Sequence, residues 1–189
     1  MDYADASGKL ADYRRRIAAL RAEMRDLQDR AEPQPVEDYV LQSTTGEVRL
    51  SEAFGGKDDL IVIHNMGRSC PYCTLWADGY NGVYEHLADR AAFVVTSPDS
   101  PAEQAAFAQS RGWRFPMLSH RGSSFADDMG YRGDNGWLPG TSVFRRDTGG
   151  IVRVSDAGFS PGDDFCSLWH FLDLLDGGRR GWRPKYRYG

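Results

Sequence analysis

The stretch that most restricts this chain is Cys70-Pro71-Tyr72-Cys73. It follows a continuous apolar run, Leu60-Ile61-Val62-Ile63, and precedes a segment that reads as a helix. Strand, short loop, Cys-x-x-Cys and helix together make a redox dithiol. Cys70 would stand at the helix N-terminus, with Pro71 at the first helical position, where a missing N–H costs nothing. The free N–H groups and the helix dipole favour an anion there, which lowers a cysteine pKa from about 8.5 into the range of roughly 3.5–7.5. Cys70 is the expected nucleophile, and Cys73, one turn on, the resolving thiol.

Two other readings use the same cysteines. A zinc knuckle needs a second Cys/His pair at ligand spacing. The only other cysteine is Cys166, and His64, His86, His120 and His170 are scattered. Two inert structural thiols rank behind zinc, and zinc behind redox. A net charge of −4 argues against a nucleic-acid binder. No apolar run approaches the roughly 20 residues of a membrane span, and the N-terminus shows no signal-peptide core. Three cysteines, two at redox spacing, fit a reducing cytoplasm.

Three segments are expected: an N-terminal amphipathic arm over 1–32, a main domain over 33–178 and a basic, aromatic tail over 179–189. Residues 1–8 read as a frayed end. Leu10, Tyr13, Ile17, Leu20, Met24 and Leu27 then recur at alternating spacings of 3 and 4. That is a short heptad seam on a helix from Lys9 to about Ala31, which either packs on its own domain or pairs with a second copy. Short strands follow at 36–42 and 47–50, a helical turn at 51–54, and central strands at 60–63 and 92–97. Ser100-Pro101-Ala102-Glu103 is a capping box that opens a helix ending at Arg111-Gly112. A strand at 115–119, a short helix at 123–129 and a hairpin of 141–146 with 151–155 come next. Asp163 or Asp164 caps a last helix carrying Phe165, Leu168, Trp169, Leu172 and Leu175. The tail's interleaved basic and aromatic residues could bind nucleic acid, but such a tail more often packs across a surface.

This order of strands and helices, ending in a hairpin and a helix, resembles the thioredoxin pattern. Leu138-Pro139-Gly140-Thr141-Ser142-Val143-Phe144 resembles its proline-led strand beside the active site. Phe115-Pro116-Met117-Leu118-Ser119 with Met129-Gly130-Tyr131 resembles the peroxiredoxin branch. That branch's peroxidatic motif, Pro-x-x-x-Thr-x-x-Cys, is absent, since Gly67-Arg68-Ser69 precede Cys70. The combination of Asp38-Tyr39-Val40, the Val48 to Phe54 stretch, Trp76-Ala77-Asp78, Asn81-Gly82, Gly112-Trp113 and Pro139-Gly140 is similar to the bacterial DUF899 family. The resemblance implies an α/β fold of the thioredoxin-like kind: three α/β/α layers around a central mixed β-sheet, with an added N-terminal helical arm. It also implies a dithiol–disulfide oxidoreductase that needs no cofactor beyond a Cys70–Cys73 disulfide.

Several site roles follow from that resemblance. His64 takes the place, six residues before Cys70, where thioredoxins often carry a buried carboxylate. It is a candidate base for Cys73 or a cation beside a thiolate, against the alternative of a satisfied core histidine. A cis Leu138–Pro139 bond would bring the Leu138 backbone next to the cysteines to pair with an extended substrate. Leu138, Pro139, Tyr72 and Trp76 are the expected substrate-binding residues. Arg68 could lower the Cys70 pKa. The partners expected are a protein or small-molecule thiol or disulfide and a second copy through the N-terminal helix. No nucleic acid, membrane or metal is expected. Two competing functions remain: a metal- or haem-binding module using His64, Cys70, Cys73 or His86, and a non-catalytic interaction protein.

Overall fold

The computed structural model describes residues 1–188 and divides into two units between Pro33 and Gln34. The first holds one helix, α1 (Tyr3–Arg30). It starts six residues before the expected Lys9, because the Asp2 side chain caps it by accepting from the Asp5 N–H at 2.8 Å. None of its residues is buried, and the heptad seam is open, from Ile17 at 45 % exposed to Met24 at 68 %.

In the second unit the elements run β1 (Gln34–Val36), β2 (Val40–Ser43), β3 (Gly46–Arg49), α2 (Leu50–Ala53), β4 (Asp59–His64), α3 (Pro71–Arg90), β5 (Ala92–Ser97) and α4 (Pro101–Arg111). They continue as β6 (Met117–Ser119), α5 (Phe125–Asp128), β7 (Arg132–Gly133), β8 (Gly136–Trp137), β9 (Gly140–Asp147), β10 (Gly150–Gly158) and α6 (Ser167–Asp173). Eight strands form one mixed sheet in the order β1-β10-β9-β4-β5-β6-β2-β3, while β7 and β8 pair separately. β4 sits inside the sheet, parallel to β5 and antiparallel to β9. It is covered on both faces, which is why its Leu60–Ile63 run is apolar without alternation.

Strand alternation sorts the core into two layers. Leu60 and Val62 join Leu41, Phe54, Phe125 and Phe144 under α2 and α5. Ile61 and Ile63 face the other way, with Trp76, Tyr80, Phe93, Trp113 and Trp169 under α3, α4 and α6. Each large apolar side chain so buried is worth about 1.5–3 kcal/mol.

The capping box of α4 forms as expected: the Glu103 side chain accepts from the Ser100 N–H, and Gly112 ends the helix in the left-handed region at φ 68°. The β9–β10 hairpin closes at Asp147 opposite Gly150. Gly140 is needed for close approach, since a Cβ there would run into the Tyr131 ring and the Ala157 carbonyl. Elsewhere expectation fails. The last helix starts later, with Cys166 at its N-cap, because Asp163 instead holds the preceding turn through the Ser160 and Phe165 N–H groups. Trp169 is buried on that helix, but Phe165 and Leu175 are 43 % and 58 % exposed.

Candidate active site

The Cys70 backbone is extended, φ −99° and ψ 107°, which makes it the N-cap of α3 with Pro71 behind it. Its Sγ accepts the Cys73 N–H at 3.1 Å, and its own N–H donates to the Gly67 carbonyl at 3.0 Å. The Thr74 N–H and hydroxyl both donate to the Cys70 carbonyl. Cys73 is 3 % exposed, and its Sγ accepts the Met66 N–H at 3.4 Å, whereas Cys70 is half-buried.

The two thiols therefore differ in acidity. A hydrogen bond from the Cys73 side chain favours the Cys70 thiolate, and backbone N–H groups of Cys73 and Tyr72 add to it. Together they outweigh desolvation and bring Cys70 down to about 7. Cys73 is pushed up by its hydrogen bond to Cys70 and by burial. Cys70 is the more accessible and more acidic member of the pair, and Cys73 the buried, protected one.

The loop before Cys70 is fixed by polar contacts. The Asn65 side chain accepts the Gly67 N–H at 2.8 Å, and Asp99 accepts the Arg68 N–H at 2.8 Å. Gly67 has φ 104°, and a Cβ there would press on the Asp99 carboxylate at 3.1 Å. Arg68 turns to Glu103, at 3.0 Å, and towards Asp99, at 3.9 Å, instead of to the Cys70 sulfur.

His64 continues the Leu60–Val62 face, opposite the layer that holds Trp76 and Ala77 of α3. It is 2 % exposed, stacked on Tyr131 at 3.7 Å, and its Nε2 is 3.0 Å from the Ser142 hydroxyl. Burial, aided by His120 and Arg153, holds its pKa down to about 3. The ring is neutral near pH 7, so the cationic role imagined for it does not fit. The structure does not bring it together with the cysteines.

The Leu138–Pro139 bond is trans, as are all peptide bonds among the described residues, which corrects the cis expectation. The Leu138 N–H donates to Tyr131 and the Phe159 N–H to Pro139, holding this approach extended behind the β7–β8 hairpin. Trans is also the intrinsic preference of an X–Pro bond, by about 0.5–1 kcal/mol. Leu138 and Pro139 line a pocket with Met129, Tyr131, Arg153 and Asp156, apart from Cys70. Trp76 is 3 % exposed and donates to Asp163 at 3.3 Å, so it is a core residue. Tyr72 is half-buried, 6.2 Å from the Trp169 ring. Cys166 is buried, and burial raises its pKa.

For the metal-module reading, His86 lies thirteen residues past Cys73, about 20 Å along α3. No group of three or more metal-capable side chains occurs among the described residues.

Sequence reasoning missed the brace behind the cysteines. Asp78 accepts from Trp113 Nε1 at 2.8 Å and pairs with Arg111. Asn81 donates to the Gly112 carbonyl and accepts from the Arg114 N–H. These contacts join α3 to the end of α4, which is why Trp76-Ala77-Asp78, Asn81-Gly82 and Gly112-Trp113 go together. Arg111 also donates to the Tyr186 carbonyl at 2.6 Å, so the brace extends into the tail.

Comparison with known proteins agrees with this architecture. The solved structures it resembles include a cysteine-to-serine mutant of peroxiredoxin Q from Xanthomonas campestris, at 19 % identity and a TM-score of 0.53, over 63 % of this chain and 79 % of that one. Peroxidoxin BcpB of Mycobacterium tuberculosis aligns at 29 % identity and 0.54, over 68 % and 86 %. Reduced Prx3 of Vibrio vulnificus, in complex with hydrogen peroxide, aligns at 18 % and 0.56, over 70 % and 90 %. These likenesses establish the thioredoxin-like fold of the peroxiredoxin kind. No curated protein matches the sequence significantly. The model of one family, described as a bacterial protein of unknown function (DUF899), matches residues 9–188, and the chain belongs to that family.

Proposed function

We propose that the protein is a dithiol–disulfide oxidoreductase acting through Cys70 and Cys73 in a reducing cytoplasm. The observation that carries this is the unequal pair: an accessible Cys70 sulfur holding the Cys73 N–H, with its pKa drawn down, over a buried Cys73 whose pKa is pushed up. The Cys70 thiolate attacks one sulfur of a substrate disulfide. That S–S bond breaks, a mixed disulfide forms, and the first substrate thiolate leaves and takes a proton from solvent. Cys73 then loses its proton and attacks the Cys70 sulfur. The Cys70–Cys73 bond forms, the second substrate thiol leaves, and two electrons have passed from protein to substrate. A separate dithiol reductant restores the pair.

Peroxide reduction by Cys70 is the second reading, favoured by the peroxide complex of the Vibrio vulnificus neighbour. We rank it lower because Gly67 stands where the peroxidatic motif carries threonine. Equilibration against glutathione buffers with thiol counting tests the choice. Exchange chemistry predicts a two-electron transition between roughly −270 and −120 mV. No such transition, with turnover of peroxide instead, would replace it.

We also propose that α1 pairs with a second copy of itself, because its six-residue seam is exposed throughout. An antiparallel pairing sets Arg16 against Glu23, whereas a parallel one sets Arg16 against Arg21. Sedimentation should show a dimer that Leu20→Glu dissociates. A monomer at tens of micromolar would refute it.

A further inference from the structure

The C-terminal tail is built onto the site. Trp182 packs 6.1 Å from Trp169, Pro184 is buried, and the Tyr186 ring stands edge-on to Phe107 of α4 at 6.4 Å. Tyr186 thereby forms one wall of a cleft of about 550 Å³ whose other walls are Arg68, Ser69 and Asp99. Ser69 adjoins the nucleophile. The Tyr186 hydroxyl senses both thiols, since charge on Cys70 and Cys73 adds to the burial that raises its pKa. A cleft of this size suits a small molecule. The backbone beside Pro139 is a poor dock for an extended chain, because the Leu138 N–H is already taken.

Charge narrows the class. Asp99 is the acidic wall, but its oxygens accept from the Arg68 N–H and the Ser97 hydroxyl and face the Arg68 guanidinium. Arg68 is 54 % exposed, and a guanidinium offers five N–H donors, of which its Nη2 donates to Glu103. Lys185 and Arg187 flank Tyr186 and are exposed. In a chain of net charge −4, Arg68 and the two cations next to Tyr186 in the chain outnumber the carboxylates of Asp99 and Glu103 that face Arg68.

We propose that this cleft binds the carboxylate arm of a small disulfide, with Arg68 as the charge contact and the tail's Tyr186 as the wall that holds the arm in place. The proposal rests on the exchange reading above. The arm's carboxylate meets Arg68 while one of its sulfurs meets Cys70, and the exchange proceeds as already balanced.

The test compares two probes on the full chain: 3,3′-dithiodipropionate, with two carboxylates, and cystamine, with two ammonium groups. The readout is the ratio of their kcat/KM values, which cancels any general loss of Cys70 reactivity. Arg68→Gln should lower the ratio about tenfold, and Arg68→Glu further. Tyr186→Ala should lower it severalfold, and 0.5 M salt should lower it in the wild type by screening. Ratios within twofold of wild type in all three variants would overturn the proposal while leaving exchange intact. Failure of the wild type to react with either probe at a Cys70-dependent rate would overturn the exchange reading and this proposal with it. Circular dichroism checks that each variant is folded.

Discussion

Two titratable groups stand at the carboxyl ends of the central strands, on opposite sides of one sheet, and burial treats them differently. On the α3 side, Cys70 is half-buried but receives a hydrogen bond from the Cys73 side chain and N–H groups from the first helical turn, so its charged form is favoured. On the α5 side, His64 is stacked on Tyr131, has a single hydrogen bond to Ser142, and loses its charge. Among the described residues its Nδ1 meets no hydrogen-bond partner, nor does Nδ1 of buried His120. Desolvation without a partner for the charge neutralises a group, and desolvation with donors aimed at a thiolate activates one.

Removing the nucleophile breaks this comparison most directly. Cys70→Ser should abolish the two-electron transition, and Cys73→Ser should trap one equivalent of mixed disulfide, read by mass spectrometry. The pH–rate profile of the wild type should show one ionisation near 7, and His64→Asn should keep it. A second ionisation lost with His64 would return the imidazole to the mechanism.

Core truncation on either face comes next. Phe144→Ala and Trp169→Ala should each cost about 3–5 kcal/mol in denaturant unfolding, since both side chains are essentially unexposed. Only Trp169→Ala should also alter thiol reactivity, because it lies against Tyr72, Trp76 and Trp182.

Acid should then destabilise the protein through the histidine side. An unfolded histidine takes a proton near 6.5, but folded His64 does so only near 3. Between those values the unfolded chain binds the extra proton, so stability falls as pH falls, by at most about 1.4 kcal/mol per pH unit from this group. His120, also lowered by burial, acts in the same direction. His64→Phe should flatten the slope, and an unchanged slope would mean that His64 is not the buried neutral group described. The smallest effect belongs to the α4 cap: Ser100→Ala should cost about 1 kcal/mol in thermal or denaturant unfolding.

The elements that read most clearly in the sequence are those set by local chemistry. Ser100, Pro101, Glu103 and Gly112 define α4 residue by residue, and Pro71 after Cys70 defines the start of α3. The face on which His64 falls did not read, because β4 is apolar on both sides and its alternation carries no label. The displaced cap of α6 is a local competition, in which Asp163 takes the Ser160 and Phe165 N–H groups, whereas the trans bond before Pro139 is flanked by contacts to partners further along the chain, Tyr131 and Phe159. Tyr186 escaped notice for the same reason. Its place beside Ser69 comes from Trp182, Pro184 and Arg111, not from any local pattern.

The most direct test of the central claim is titration of the thiolate absorbance near 240 nm in the reduced protein, with Cys70→Ser as the control. The account predicts one thiolate forming near pH 7, absent from Cys70→Ser, and none from Cys73 until far higher pH. Two cysteines titrating together near 8.5 would contradict it.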